Sequence, residues 1–325
     1  MTSADLRLSQ NCQIVRLCVA QEHIMITQLF TGLLRWYYRH LSRKTNPITH
    51  QQRTYPFNIP SREEHRKIRA RHYSACQEGK PLIVYFHGGG WVIGDLDTHD
   101  SLCAALNSIT GCAVLSVDYR LAPEHRYPAA HEDAINATLW ATQQLDVLTD
   151  SGEGIIVAGD SAGANLAVAS ALELTDTAVP KIMGQVLIYP VTDYYLSNHK
   201  SYNEKGSGYA LTKTLMHFFW NTYLNRKFKV LTEAQSAAIK AIPAASEKLA
   251  SLPPTFLSTA ENDPLRDEGI AFNGALQAAG VATEHHHFQE SEHGFATAPD
   301  TDSNALRQIN AINDWIEGLL HKPSN

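Results

Sequence analysis

Short apolar runs alternate with stretches of helical periodicity from residue 81 onward. Six of the runs have the length and composition of β-strands: Pro81–Phe86, Ala113–Val117, Ile155–Ala158, Val186–Tyr189, Thr255–Ser258 and Val281–Phe288. Several are apolar at consecutive positions, as parallel strands covered by helices on both faces must be. Other apolar residues recur at helical spacing, for example over Leu102–Ile109 and Leu306–Leu319. This alternation predicts an α/β fold with a parallel sheet and right-handed crossovers.

Two stretches do not follow the alternation. About the first 50 residues are helical in pattern and rich in apolar and aromatic side chains, and residues from about 191 to 242 are first polar and then aromatic. Neither stretch has the composition of a linker, and the chain carries no internal repeat. The pattern favours insertions that pack over one edge of the sheet, although additional core explains their composition equally well.

Composition and charge narrow the classes of protein to consider. The chain has 325 residues and a formal net charge of −6, without a basic stripe, so nucleic-acid binding is not expected. The five cysteines include no C-x-x-C motif and no zinc-ligand spacing, which indicates reduced thiols in a cytoplasmic protein. A secretory signal is not recognisable. The apolar stretch Cys12–Tyr38 is interrupted by polar residues and predicts an amphipathic helix without stable membrane insertion, with interfacial contact as the lesser alternative.

The strongest local signal for chemistry is the segment Gly159–Gly163, of sequence GDSAG. It follows a predicted strand and precedes a stretch that can form a helix. This is the context of a nucleophile elbow, in which a serine occupies a strained strand-to-helix turn between two glycines. Such a turn would present Ser161 Oγ above the sheet and direct the Ala162 N–H toward an anion that forms there.

A second signal is the segment His87–Trp91, of sequence HGGGW, directly after the first predicted strand. Consecutive glycines let a backbone approach a substrate closely and expose its N–H donors. A plain glycine-rich turn is one alternative. A phosphate-binding loop is another, but the required G-x-x-x-x-G-K-[ST] pattern is absent. The combination of HGGG with G-x-S-x-G is the oxyanion machinery of lipases and esterases, and it is much more specific than either motif.

A serine nucleophile needs a base, which follows the serine and the acid along the chain in this type of fold. His293 lies in a loop directly after the last predicted strand. The run of histidines at 285–287 lies inside that strand, where side chains alternate between faces and do not converge on one point. His293 is therefore the candidate base. A metal site on the histidine run is not expected, because carboxylate and cysteine partners are missing.

The candidate orienting acid is Asp263. It follows the strand Thr255–Ser258, and Pro264 after it keeps it out of helical conformation. Glu261 is a weaker rival. Two further acidic residues begin the next predicted helix, where helix capping is the better interpretation: Asp267 and Glu268.

Five ordered segments carry a resemblance to a known family: HGGGWVIGDLDTHD, DYRLAPEHRYPAAHEDA, GDSAGANLA, ENDPLRDEG and SEHGF. Together they resemble the hormone-sensitive-lipase branch of the α/β-hydrolases, and GDLDTHD is most similar to bacterial acetyl esterases of that branch. The resemblance covers about residues 65–320. It implies one α/β-hydrolase domain over residues 1–325, with a mostly parallel eight-stranded sheet flanked by helices. It also implies a helical cap from about 1–50 and about 191–242.

The same resemblance implies a role for each motif position. Ser161 would be the nucleophile, His293 the general base and acid, and Asp263 the orienting carboxylate. The oxyanion donors would come from the glycine loop and the residue after the serine: Gly88, Gly89, Gly90 and Ala162, with Gly89 and Gly90 favoured in the loop. The substrate-pocket positions would be His87, Trp91 and Asp160. No metal and no organic cofactor are implied.

These implications lead to one expected function and two alternatives. The expected function is hydrolysis of short acyl esters, acetyl esters above all, by a cytoplasmic monomer or homodimer that binds a small-molecule ester. Formamidase-like relatives also carry a tryptophan after the glycine loop, as Trp91 does here, so an amide or formamide hydrolase is the first alternative. A non-catalytic small-molecule binder is the second, and it is disfavoured because all three triad residues are present.

Overall fold

A computed structural model of the chain describes residues 26–43, 54–149, 154–174, 182–225, 230–232, 235–236 and 239–321. Parts of both predicted insertions lie outside these ranges, as does the beginning of the apolar stretch Cys12–Tyr38. Within that stretch, residues 26–43 are helical, in agreement with the predicted amphipathic helix.

The described residues form one eight-stranded sheet with the strand order β1-β2-β4-β3-β5-β6-β7-β8. The strands are β1 Thr54–Pro60, β2 Lys67–Tyr73, β3 Leu82–Phe86, β4 Ala113–Asp118, β5 Ile155–Asp160, β6 Ile182–Ile188, β7 Thr255–Asn262 and β8 Thr283–Glu292. The six strands from β3 to β8 run parallel, whereas β2 is antiparallel to both of its neighbours. The prediction of a mostly parallel sheet with eight strands is confirmed.

The two strands that the apolar runs do not reveal are β1 and β2. Strand β2 alternates buried residues such as Ile68 and Ala70 with exposed ones such as Lys67, so it has no continuous apolar run. Strand β1 contains prolines at both Pro56 and Pro60 and lies at the edge of the sheet, where the missing N–H donors are tolerated.

Helices cover both faces of the sheet. They are α1 (residues 26–43), α2 Asp100–Thr110, α3 Ala129–Gln143, α4 Leu145–Leu148, α5 Ala162–Leu174, α6 Ser201–Glu204, α7 Lys213–Leu224, α8 Arg266–Ala278 and α9 Ser303–Leu320. Val84 enters the apolar cluster that holds α3 and α5, whereas its neighbours Ile83 and Tyr85 enter the cluster that holds α2 and α9. Along α9, Ile309, Ile312 and Ile316 are buried, whereas Leu306 near its start is exposed. No described helix has the length and apolarity that crossing a bilayer requires.

The loops that carry the predicted site residues lie at one edge of the sheet. The glycine loop follows β3, Ser161 follows β5, Asp263 follows β7, and His293 follows β8. Because parallel strands end at the same edge, these loops converge even though they are far apart in the sequence. This edge is where open α/β sheets bind their ligands.

Candidate active site

Ser161 occupies the turn between β5 and α5 with a φ of 55°, in the left-handed region. A Cβ on Gly163 would collide with the backbone carbonyl oxygen of Phe86, and a Cβ on Gly159 would collide with the backbone of Gly163. The two glycines therefore let the turn lie directly against strand β3. The Ser161 N–H donates to the Ile188 carbonyl (2.8 Å), which fixes the turn from the other side.

Three of the predicted site residues form a continuous hydrogen-bonded chain. His293 Nε2 lies 3.0 Å from Ser161 Oγ, and His293 Nδ1 lies 2.7 Å from Asp263 Oδ2. Asp263 is fully buried, and its other oxygen accepts the Leu265 N–H (2.8 Å). A carboxylate at Nδ1 favours the tautomer with its proton on that nitrogen. Nε2 is then the acceptor for the serine hydroxyl, which is the arrangement that activates a serine for attack.

Tyr189 is a further contact of the histidine that sequence reasoning does not assign to the site. It follows β6 with a φ of 33°, and its ring centre lies 4.6 Å from that of His293. The Tyr189 N–H donates to the Ser258 carbonyl (2.9 Å), so the backbone of a neighbouring strand holds it. The sequence pattern places Tyr189 only as the last residue of a strand, and nothing in it points toward His293.

The glycine loop is shaped by left-handed backbone at Gly89 (φ 113°) and Gly90 (φ 59°). The Gly88 N–H donates to Asp160 Oδ1 (2.8 Å) and is therefore engaged within the protein. Toward other described residues, the N–H groups of Gly89 and Gly90 donate no hydrogen bond. Ala162 begins α5, so its N–H has no acceptor within the helix. Three of the four predicted donors are thus available to an anion, and Gly88 has a different partner.

Asp160 lies beneath the glycine loop, where it also accepts a hydrogen bond from Tyr85 Oη (2.6 Å). Burial favours the protonated acid, but the charge of His99 and hydrogen bonds from His99 and Tyr85 outweigh it and hold the pKa of Asp160 below its ordinary value. The carboxylate is therefore ionised and is a strong acceptor for the Gly88 N–H. This buried position differs from the wall of a substrate pocket that the resemblance implies.

His87 and Trp91, the other two expected pocket residues, are also fully buried. The His87 ring stacks on Tyr119 with centres 4.3 Å apart, and Tyr119 Oη donates to the His87 carbonyl (2.6 Å). The Trp91 ring stacks on Tyr223 of α7 with centres 4.7 Å apart. Both side chains thus hold the two ends of the glycine loop from within the protein.

Comparison with known proteins decides the family. A family model described as α/β hydrolase fold matches residues 83–297. The carboxylic ester hydrolase LipN of Mycobacterium tuberculosis is 40% identical over 235 residues.

The chain belongs to the α/β-hydrolase family.

The expected hormone-sensitive-lipase-type resemblance is thereby confirmed. The LipN alignment covers 70% of this chain and 61% of LipN, so the match spans less than two thirds of that relative. Ethyl acetate hydrolase of Pseudomonas putida is 34% identical over 241 residues, which is 73% of this chain and 70% of that protein.

Solved structures agree with the sequence comparison. An esterase of Pyrobaculum calidifontis has a TM-score of 0.79 and 34% identity, over 89% of this chain and 93% of its own. The carboxylesterase EstE1, cloned from a metagenomic library, has a TM-score of 0.79 and 33% identity, over 90% of this chain and 98% of its own.

Glu261, the rival for the acid of this α/β-hydrolase, has partners away from His293. Glu261 Oε1 binds Arg266 (2.8 Å) and Lys205 (3.2 Å), and Oε2 lies 3.1 Å from His287 Nε2. Of the two carboxylates, Asp263 is the one within hydrogen-bond distance of His293.

The run of histidines in β8 lies on both faces of the strand. His285 Nε2 and His287 Nδ1 are each 2.9 Å from Thr259 Oγ1, whereas the His286 ring stacks on Phe256. His286 therefore points away from its two neighbours, as the alternation of a strand predicts. Within the described ranges, no group of three or more metal-ligating side chains is arranged to hold a metal ion.

Two acidic side chains at the start of α8 accept hydrogen bonds from backbone N–H groups outside that helix. Asp267 Oδ2 accepts the Ser201 N–H (2.9 Å), and Glu268 Oε1 accepts the Thr192 N–H (2.8 Å). Both residues lie in the first turn of α8, as predicted, but their hydrogen bonds from backbone N–H groups come from the segment after β6 and not from the helix N-terminus. The two side chains thereby tie the segment after β6 to the helix that follows Asp263.

The pH dependence of stability is expected to change when Glu268 is replaced. Burial raises the pKa of Glu268 well above its ordinary value, although the Thr192 N–H opposes this, and the charge of Asp193 raises it further. The folded protein thus keeps a proton that the unfolded chain releases above about pH 4.5. The free energy of unfolding therefore falls as the pH rises through this window.

Glu268→Gln removes this ionisation and keeps an acceptor for Thr192. In urea unfolding between about pH 5 and pH 8, we compare the free energies of unfolding of the variant and the wild type. We expect the difference, variant minus wild type, to increase with pH by at most about 1.4 kcal/mol per pH unit. The exposed Glu247 provides the matched control, Glu247→Gln. A difference between Glu268→Gln and the wild type that does not change with pH would contradict a proton held on Glu268.

Proposed function

We propose that this chain is a serine carboxylic-ester hydrolase that acts on short-chain, acetyl-type esters. The observation that carries the proposal is the hydrogen-bonded chain from Asp263 through His293 to Ser161, beside a glycine loop with available N–H donors. The relatives named above are esterases, which supports the same chemistry for this chain.

In the proposed reaction, His293 Nε2 takes the hydroxyl proton as Ser161 Oγ attacks the ester carbonyl. Collapse of the tetrahedral intermediate breaks the bond to the alcohol oxygen, and His293 returns the proton to that oxygen. Water then enters, loses a proton to His293 and attacks the acyl carbonyl. The second tetrahedral intermediate breaks its bond to Ser161 Oγ, which takes that proton back from His293, and the acid leaves. Asp263 stabilises the imidazolium in both halves of the cycle and holds its orientation.

The negative oxygen of each tetrahedral intermediate would be bound by the N–H groups of Gly89, Gly90 and Ala162. Each such donor in an acyl-transfer enzyme lowers the barrier by about 3–4 kcal/mol. Asp160 would act as a positioning residue, because its bond to the Gly88 N–H sets the orientation of the peptides that follow. His87 and Trp91 would support the same loop rather than contact the substrate.

We assign α1 and the segment containing α7 to a cap over a single catalytic domain. The Phe30 ring of α1 lies 5.0 Å from the Phe218 ring of α7, so the described parts of the two insertions meet. A Cβ on Gly90 would collide with the ring of Phe219, which therefore packs directly on the glycine loop. An aromatic ring at this place supports a short acyl pocket.

The proposed setting is a cytoplasmic monomer or homodimer that acts on small esters. The net charge of −6 argues against a nucleic-acid substrate. Every proton transfer in the cycle is accounted for by His293, so the proposed mechanism includes no step by a metal or organic cofactor.

The proposed substrate class is tested by initial rates on p-nitrophenyl esters from acetate to decanoate. We expect kcat/KM to be highest for acetate or butyrate and to fall by about ten-fold or more at octanoate, because each methylene that does not fit forfeits binding of the transition state. An aryl formamide serves as the comparison substrate. A maximum at or beyond octanoate would contradict the short pocket, and faster formamide hydrolysis would favour an amide hydrolase.

A further inference from the structure

One face of helix α1 packs against the rest of the protein. Arg35 Nε donates to the Val92 carbonyl (2.8 Å), and Arg35 Nη2 donates to the Ala122 carbonyl (2.9 Å) and to Glu124 (2.8 Å). On the same face Thr31 is fully buried, and Tyr38 packs against the central apolar cluster. These contacts determine which face of the helix is turned outward.

The outward face of α1 is apolar. Six large side chains are between 47% and 67% exposed: Ile26, Leu29, Phe30, Leu33, Trp36 and Tyr37. At 100° per residue they lie within about 120° of the helix circumference, so they form one continuous stripe. Soluble proteins rarely expose a contiguous apolar stripe of this kind without a partner.

The charges of this segment indicate the chemistry of the partner. No Asp or Glu occurs between residues 26 and 44, where Arg35, Arg39, Arg43 and Lys44 supply only positive charge, although the whole chain carries −6. Arg35 and Arg39 pair with Glu124 and Asp95, whereas Arg43 is exposed beside the stripe. A second copy of this chain would bring the same positive flank against the first, which is unfavourable. An anionic lipid surface is complementary to it.

The aromatic residues of the stripe favour the same partner. Trp36 is 65% exposed and Tyr37 is 57% exposed at neighbouring positions of the helix. Trp and Tyr are the side chains that concentrate at the boundary between lipid and water. An amphipathic helix with one apolar face and flanking arginines binds in the plane of that boundary without spanning the bilayer.

We propose that the outward face of α1 docks this protein on the surface of an anionic phospholipid bilayer. Because Arg35 bonds directly to the residue after Trp91, docking brings the glycine-loop side of the protein to the lipid. Binding itself does not depend on ester hydrolysis, so the two proposals fail independently.

The first test is sedimentation of the full chain with vesicles of phosphatidylglycerol and with vesicles of phosphatidylcholine. We expect the wild type to sediment with the former, less at high salt, and only weakly with the latter. Leu33→Asp should lower binding to phosphatidylglycerol vesicles by about ten-fold or more, since it places a charge in the lipid boundary. The control is Leu306→Asp, an exposed leucine on α9 at the opposite face of the sheet, which should bind as the wild type does.

A second readout uses the tryptophans. Trp36 is 65% exposed, whereas Trp91 and Trp220 are fully buried, Trp315 is 8% exposed, and Trp140 of α3 is half-buried against the apolar core. Brominated lipid should therefore quench mainly Trp36, and Trp36→Phe should lose the quenching while still sedimenting with the vesicles. This combination identifies α1 as the element in contact with lipid.

Three results would overturn the proposal. The wild type fails to sediment with phosphatidylglycerol vesicles, or Leu33→Asp binds as well as the wild type. Alternatively, sedimentation velocity without lipid reveals a dimer that Leu33→Asp dissociates, which makes the stripe an interface between copies. A thermal unfolding curve of each variant in vesicle-free buffer establishes that it is folded, so loss of binding is distinguishable from loss of structure and does not depend on esterase activity.

Discussion

Replacing Ser161 with alanine is expected to lower kcat for ester hydrolysis by about 10⁴–10⁶-fold while the protein stays folded. The substitution removes only Oγ, the atom that lies 3.0 Å from His293 Nε2 and would attack the carbonyl. The surrounding turn keeps its glycines and its hydrogen bond from the Ser161 backbone to Ile188. The measurement is kcat on p-nitrophenyl acetate, together with a thermal unfolding curve.

Ser108→Ala is the matched control, because Ser108 is exposed on α2 and its hydroxyl bonds only within that helix (3.2 Å to Ala105) among the described residues. We expect that variant to keep wild-type activity. If Ser161→Ala retained activity within ten-fold of the wild type, Ser161 would not be the nucleophile, whatever its geometry.

Asp263→Asn should lower kcat by about 10⁴-fold. The amide has the same size as the buried carboxylate, but it can donate to His293 Nδ1 and so favour the tautomer that carries its proton on Nε2. That nitrogen then no longer accepts the proton of Ser161. The loss is thus expected in kcat, and it should not be accompanied by a comparable loss of stability.

Glu261→Gln tests Glu261 as the alternative acid. Like Asp263→Asn, it replaces a carboxylate with an amide of the same size. Glu261 binds Arg266 and Lys205 instead of the base, so this variant should keep kcat within a few-fold of the wild type. A greater loss of kcat in Glu261→Gln than in Asp263→Asn would reverse the assignment of the acid.

Strands β3 to β7 are predictable because they are largely buried on both faces and therefore appear as short apolar runs, whereas the edge strand β8 is only partly buried. Strand β2 is not predictable in this way, since one of its faces carries Lys67, Arg69 and Arg71. Strand β1 is not predictable because it contains prolines, which normally argue against a strand but are tolerated at the edge of a sheet. Apolar runs in the sequence reflect burial, so half-buried strands are harder to predict from them.

The triad is predictable because each of its members directly follows a parallel strand, and all such positions lie at one edge of the sheet. Contacts without this regularity are not predictable. The bond between the Gly88 N–H and Asp160 joins residues 72 positions apart, and the sequence does not determine where that carboxylate points. The contact between the rings of Tyr189 and His293 and the hydrogen bond from Thr192 to Glu268 likewise depend on how the loops cross.

The most direct test of Ser161 as the nucleophile is covalent labelling of the wild-type protein with an alkyl fluorophosphonate. The labelled chain is digested, and mass spectrometry locates the adduct while residual esterase activity is followed. We predict a single adduct on the peptide that contains Ser161, with a labelled fraction equal to the fraction of activity lost, and far slower labelling of Asp263→Asn. An adduct on another residue, or full activity of a protein fully labelled at Ser161, would contradict this account.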